Sequence, residues 1–232
     1  MERSLIRRVI EKWIWLSLRR KQNLTGVSYW ESRVKSYGKR AVLNINHRQD
    51  EYDAITDFQR KEIFPCLTQV LLPSDKVILD LGCGPGRFSS ELASIINGGL
   101  VIGADPISAL IAMAPKTPNV EYRIMKEGNI PLSDESVDVV WSCLVLGGIV
   151  GVTLVNTIAE IRRVLKDEGL LFLVENTSPL PNGTHWVFRQ FDDYKKMFPF
   201  VHLTHLHDYF DLGERISIMT GRKSSYATAK LH

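Results

Sequence analysis

Val77-Ile78-Leu79-Asp80-Leu81-Gly82-Cys83-Gly84-Pro85-Gly86 is where the sequence first commits itself to one architecture. An apolar run of strand length ends in an acid, and glycines then alternate ahead of a helical pattern over Phe88–Ile96. Glycines permit a tight turn and let a ligand approach the backbone closely, while a helix N-terminus offers free N–H groups. Dinucleotide enzymes use G-x-G-x-x-G, but the sixth position here is Arg87, where a side chain would obstruct helix–strand packing. The acid directly before the first glycine also departs from that pattern. It is placed to meet a ligand ammonium group, directly or through water.

Outward from this turn, strand and helix patterns alternate. Lys76–Leu81, Leu100–Ala104, Val120–Met125, Val137–Cys143 and Leu170–Glu175 read as strands. Helical patterns follow over Ile107–Ala114, Leu154–Lys166 and Trp186–Phe198, and the third strand precedes a turn at Gly128–Pro131. Such alternation implies βαβ units and a parallel sheet covered on both faces. Two last strands, near Val201–Tyr209 and Ile216–Gly221, are separated only by a turn around Asp211–Gly213 and should form an antiparallel hairpin. Residues 22–48 read as loop with a short helix, and Asp50–Leu72 as a helix broken near Pro65. The uncharged stretch Val139–Ala159 is long enough to cross a bilayer, yet its central glycines favour a buried strand, a turn and a helix start.

Asp105 ends the second strand, where an acid in a doubly wound sheet faces the binding crevice and can accept hydrogen bonds from both ribose hydroxyls. Four pieces then line up: Ile78-Leu-Asp-Leu-Gly-Cys-Gly-Pro-Gly86, Val101-Ile-Gly-Ala-Asp105, Ile130-Pro-Leu-Ser-Asp-Glu-Ser-Val-Asp-Val-Val-Trp141 and Ile161-Arg-Arg-Val-Leu-Lys-Asp-Glu-Gly-Leu-Leu-Phe172. In order and spacing they resemble the class I S-adenosylmethionine-dependent methyltransferases, particularly the small-molecule branch, over about residues 70–176.

The resemblance implies an α/β fold with a Rossmann-like, seven-stranded, mostly parallel sheet, closed by the antiparallel hairpin and preceded by an N-terminal helical extension. It divides the chain into a basic helix and lid over residues 1–70 and an S-adenosylmethionine-binding domain over residues 71–232. It further implies that Asp80, Gly82, Cys83, Gly84 and Gly86 surround the methionine end of the cofactor. Asp105 would bind the ribose, Ile107 or its neighbour Pro106 would lie against the adenine, and Cys143 and Leu144 would lie near the sulfonium. Two departures stand out. The column whose acid contacts the adenine amino group in many relatives holds Lys126 here, so that contact passes to Glu127 or to backbone near Gly128. Where relatives often carry histidines after the fourth strand, this chain has Gly147-Gly148.

If the acceptor is a hydroxyl, transfer needs a general base, and histidine is the usual candidate. His47, in the expected lid, and His185, in the loop after the fifth strand, are the two candidates for that catalytic role. Tyr194, Tyr209, Asp208 and the pair Glu175-Asn176 are further candidates for the pocket. His202, His205 and His207 do not make a metal site, because His202 would face away from the other two and no cysteine is near.

The net charge of +3 hides an asymmetry. Residues 1–48 carry twelve Lys or Arg against three Glu, and the remainder is net acidic. Residues 2–16 read as a basic amphipathic helix with Leu5, Ile6, Val9, Ile10, Trp13 and Leu16 on one arc. Such a segment either lies on an anionic membrane, making contact through residues 2–20, or packs on its own domain or a second subunit. Three scattered cysteines and no secretory signal point to a reducing compartment, hence a cytoplasmic protein, peripheral at the membrane in the first case. The expected partner is a small-molecule acceptor (a glycan or sugar, a lipid-linked intermediate or an aromatic metabolite), with O-methylation favoured over N-methylation. Nucleic acid is disfavoured, since Trp141-Ser-Cys-Leu stands where amine-methylating enzymes of bases carry a Pro-Pro-aromatic motif. The expected assembly is a monomer or homodimer. The competing expectation is a catalytically silent cofactor-binding module, held at a membrane or on a protein partner.

Overall fold

The computed structural model describes residues 25–224. The amphipathic segment expected over residues 2–16 lies outside them.

Val77–Leu81 (β1) is apolar at every position but Asp80, so it has no face to give to solvent and takes the middle of the sheet. Leu100–Asp105 (β2) pairs with it in parallel on one side and Val137–Cys143 (β4) on the other. Val120–Ile124 (β3) lies outside β2, and Leu165–Asn176 (β5) outside β4. The hairpin Thr204–Asp211 (β6) and Glu214–Arg222 (β7) completes a seven-stranded sheet in the order β3-β2-β1-β4-β5-β7-β6. Only β7 runs against its neighbours β5 and β6. Its turn holds Leu212 and Gly213 at φ of 51° and 80°, the left-handed pair that a two-residue hairpin demands. From β1 the chain works outward through β2 and β3, then returns to β4. That reversal opens a crevice beyond the carboxyl ends of β1 and β4.

Each face of the sheet carries its own core. Leu79, Val140, Leu171 and Leu173 point to one side, under Gly151–Val164 (α5) and Phe191–Met197 (α6) through Ile161, Val164, Tyr194 and Phe198. Ile78, Val139, Trp141 and Phe172 point to the other, under Tyr52–Val70 (α2) and Ser89–Ile95 (α3) through Ile63, Phe64, Leu67 and Leu92. Trp141 stacks flat on Phe172 at 5.2 Å. At about 1.5–3 kcal/mol per fully buried large side chain, this face holds α2 firmly against the sheet.

That burial explains a difference from expectation at α2, which runs unbroken through Pro65 for 19 residues. Pro65 itself is exposed, while Ile63, Phe64 and Leu67 around it are buried, so packing outweighs a proline cost of about 3 kcal/mol. Residues 26–37 are likewise a full helix, Gly26–Tyr37 (α1), where a loop with a short helix was expected. Val27, Trp30 and Val34 find their partners in Ile107 and Leu110, far along the chain beside the short helix Ser108–Ile111 (α4). Expected helix 186–198 shrinks to α6, because Gln190 and Asp193 form a capping box that fixes its start. Among the described residues, no helix is long and apolar enough to cross a membrane. The uncharged stretch from Val139 becomes β4, a 3-10 turn at Leu146–Gly148 and the start of α5.

Candidate functional site

The crevice at the chain reversal holds a cavity of about 440 Å³. Its floor is the glycine turn. Gly82 has φ of 70°, and a Cβ there would stand 2.5 Å from Val145, so only glycine lets the turn pass under the β4 loop. Gly82 N–H donates to Ala104 O at 2.7 Å, which ties the turn to β2. Asp80 is buried at the end of β1, accepts the Ser89 hydroxyl at 2.6 Å, and is pushed by burial up to about 7. Asp105, also buried, accepts the Gly84 N–H at 2.9 Å and the Ile107 N–H at 2.8 Å, one on each oxygen. Burial raises its carboxyl while those two N–H groups pull the other way. Each oxygen keeps a lone pair free for a further donor.

The opposite wall is the loop after β4. Leu144 takes a left-handed φ of 57°, and the next three N–H groups converge on one buried carboxylate. Val145 and Leu146 donate to Glu175 Oε1 at 3.0 and 2.8 Å, and Gly147 donates to Oε2 at 3.3 Å. Burial still pushes Glu175 up to about 7. Arg189 closes the loop from below through Leu146 O at 2.7 Å and Ile149 O at 3.0 Å. Trp186 presses on Gly147, where a Cβ would come within 2.3 Å of the indole. Over the top lies α1, whose start is tethered by Glu127 Oε1 accepting the Val27 N–H at 2.9 Å. Thr25, Val27 and Trp30 line the cavity from that side, with Val42 just beyond α1.

Of the cofactor residues expected from sequence, Asp80, Gly82, Cys83, Gly84, Asp105, Pro106, Ile107, Glu127, Gly128, Cys143 and Leu144 all line this one cavity. Gly86 does not; it lies behind the turn, packed against Tyr122 and Pro115. The two histidines also lie off the cavity lining. His47 is buried, with Nε2 2.8 Å from Asp211 Oδ1 and Nδ1 3.8 Å from Glu51 Oε2. His185 stacks on Tyr29 at 3.7 Å, and burial together with Arg33 holds its pKa below the usual value. Cys143 does line the wall, its thiol pushed by burial up to about 12 and therefore protonated near neutrality. Tyr194 and Asn176 belong to the scaffold: Tyr194 lies 3.5 Å from Glu175, and Asn176 donates to Glu214 at 2.5 Å.

The sequence reading passed over Trp30, Val42 and Arg87 as lining residues. No motif marks the first two. Arg87 stood in plain view at the end of the glycine turn, but its partners Thr56 and Gln59 lie on α2. Among the described residues, no group of three His, Cys, Asp or Glu side chains is placed to hold a metal ion.

The methyltransferase domain family matches residues 79–173, from β1 into β5. A putative methyltransferase, 235L, of Invertebrate iridescent virus 6 is 33% identical over 128 residues, 55% of this chain and 42% of its own length. The malonyl-[acyl-carrier protein] O-methyltransferase of Marinomonas sp. (strain MWYL1) is 27% identical over 138 residues, 58% of this chain and 50% of its own. The chain thus spans about half the length of the curated relatives it matches. The solved structure of the [4+2]-cyclase SpnF superposes with a TM-score of 0.62 at 16% identity, covering 86% of this chain and 96% of that one. That likeness establishes the fold alone. The family match, the relatives, the strand order and the glycine turn all agree in identifying residues 79–173 as a methyltransferase domain of the class I S-adenosylmethionine-dependent kind.

Proposed function

We propose that this protein binds S-adenosylmethionine in the crevice and transfers its methyl group to a small-molecule acceptor. The observation that carries the reading is Asp105, a buried acid beside the glycine turn, with lone pairs left for a ribose diol. The other lining residues fit the same ligand. Asp80 is placed for an ammonium group, and Ile107 and Leu110 offer an apolar face to a base. A volume of about 440 Å³ falls within the usual range for such sites.

When bound, the cofactor supplies the reactive carbon and its sulfur leaving group. The chain's own residues supply position and dryness. Asp105 would hold the ribose and Asp80 the amino-acid end of the cofactor, and the Glu175-clamped loop fixes the wall beside Cys143. Trp30 and Val42 add apolar walls. Holding two reactants in line is worth about 7–11 kcal/mol where the geometry is tight. The enclosure by α1 and the start of α5 supports a small acceptor over a polymer. An oxygen acceptor is the proposed class, in line with the relative named as an O-methyltransferase.

The test is transfer from radiolabelled S-adenosylmethionine to phenols, sugars, lipids and RNA in parallel. Label on a small hydroxyl compound supports the reading, and label on RNA alone contradicts the acceptor class. Tight binding of the cofactor without transfer to any class would instead favour a silent binding module, as the position of both histidines off the cavity would allow.

A further inference from the structure

Arg87 carries a positive charge into the cavity wall with no carboxylate paired to it directly. Its guanidinium is held from one side by α2: Nε donates to Thr56 Oγ1 at 3.2 Å and Nη2 donates to Gln59 Oε1. The Phe88 ring lies 4.8 Å from it and the Tyr52 ring 6.0 Å. Among the described residues, no carboxylate lies within ion-pair distance of Arg87, and Nη1 has no hydrogen-bond partner. Asp211, the nearby acid on the hairpin, is already taken up. Its Oδ1 lies 2.8 Å from His47 Nε2 and its Oδ2 accepts from Gln59 Nε2 at 3.4 Å. A half-buried guanidinium with no directly paired carboxylate is costly to keep unless something arrives to pair with it.

A second group beside it is also unmatched. The Tyr209 hydroxyl is buried without a hydrogen-bond partner, and it is an electrostatic neighbour of both Arg87 and Cys143. Burial drives the Tyr209 phenol well above its usual value, so it remains a donor at neutral pH. This side of the cavity therefore offers a fork of N–H donors and a protonated thiol, with the Tyr209 phenol buried outside the lining. A planar oxyanion satisfies such a set, and arginine binds a carboxylate through two parallel hydrogen bonds.

We propose that Arg87 is the anchor of a carboxylate-binding subsite in the cavity, on the wall it shares with Cys143. The inference rests on the proposed function. The carboxylate comes either from the amino-acid tail of the cofactor or from an acidic acceptor.

Three calorimetric titrations of the full chain, wild type and Arg87→Gln, test it. The probes are S-adenosylhomocysteine, which carries the amino-acid tail, 5′-methylthioadenosine, which lacks it, and benzoate added to protein saturated with S-adenosylhomocysteine. A loss of tenfold or more for S-adenosylhomocysteine, with methylthioadenosine unchanged, assigns the carboxylate to the cofactor. Unchanged nucleoside binding with benzoate binding lost assigns it to the acceptor. Arg87→Lys, which keeps the charge but not the fork, should fall between wild type and Arg87→Gln in the responding titration. Unchanged methylthioadenosine binding also shows that the variant is folded. Wild-type isotherms from Arg87→Gln in all three titrations would overturn the inference, as would equal weakening of both nucleosides. Failure of either nucleoside to bind wild-type protein would overturn the proposed function itself, before Arg87 is touched.

Discussion

The Asp105 carboxylate accepts the backbone N–H of Gly84 at 2.9 Å, joining the end of β2 to the middle of the glycine turn. The same side chain holds the Ile107 N–H at 2.8 Å. One acid thus shapes the turn and the start of the α4 segment, and still presents free lone pairs to the cavity. Asp105→Ala removes all of this at once. Affinity for S-adenosylhomocysteine should fall by about 1.5–3 kcal/mol, the worth of hydrogen bonds to a charged group. Calorimetry checks it, and an unchanged dissociation constant would refute the ribose assignment.

Gly84 has φ of 55°, and a Cβ there would meet Val42 Cγ1 at 3.0 Å. Gly84→Val puts a branched side chain in a left-handed position and fills ligand space below the lid. Nucleoside binding should be lost while the far-ultraviolet circular dichroism stays native. The thermal midpoint should drop by several degrees, because backbone strain of this kind costs about 1–3 kcal/mol. Near-normal affinity in this variant would move the pocket elsewhere.

Buried acids give the fold an unusual pH dependence. Glu175 and Asp80 are both pushed up to about 7, above their values of 4.5 and 3.8 in an unfolded chain. A raised carboxyl stabilises the fold fully below its unfolded value and loses that contribution as pH rises through its folded value. Asp138, Glu160 and Asp208, held below the usual range by their partners, have the opposite sign but finish titrating at lower pH, and the lowered His185 opposes the trend within the window as a single, mostly solvated group. Between pH 5 and 8 the thermal midpoint should therefore fall. For Glu175 the effect is on the order of 3 kcal/mol. Glu175→Gln removes one of the three raised carboxyls, Asp80, Asp105 and Glu175, and should make the slope shallower; an unaltered slope would contradict the assignment.

Thr25, the first described residue, and Val27 line the cavity. Val150 and Val152 also line it, and both are exposed, as is Val155 one turn further along α5. We propose that the basic segment over residues 2–20 brings this side of the cavity to an anionic membrane. The full chain should sediment with vesicles containing phosphatidylglycerol, and a chain starting at Gln22 should not. Equal sedimentation of the two would remove the membrane role.

The sheet and the ligand crevice were legible because β1, β2, β4 and the Leu170–Val174 part of β5 are largely apolar and buried, and because the acid and glycines of the turn stand next to one another in sequence. What escaped depends on distant partners. The apolar residues of α1, Val27, Trp30 and Val34, acquire meaning only against Ile107 and Leu110. Pro65 looked like a helix break because nothing local shows that Ile63, Phe64 and Leu67 are pinned to the sheet. Arg87 was read as an obstruction to packing, since a charge inside a glycine turn gives no hint of Thr56 and Gln59 waiting on α2. The histidines drew attention by residue type, yet His47 is paired with Asp211 and His185 with the Tyr29 ring.

The most direct measurement is a crystal structure of the protein soaked with S-adenosylhomocysteine. The account predicts ribose hydroxyls on the Asp105 carboxylate, the amino-acid tail over Gly82–Gly84, and the sulfur facing Cys143 and Leu144. Density for the nucleoside at any other place, or a crevice left without it at saturating concentration, would contradict the account.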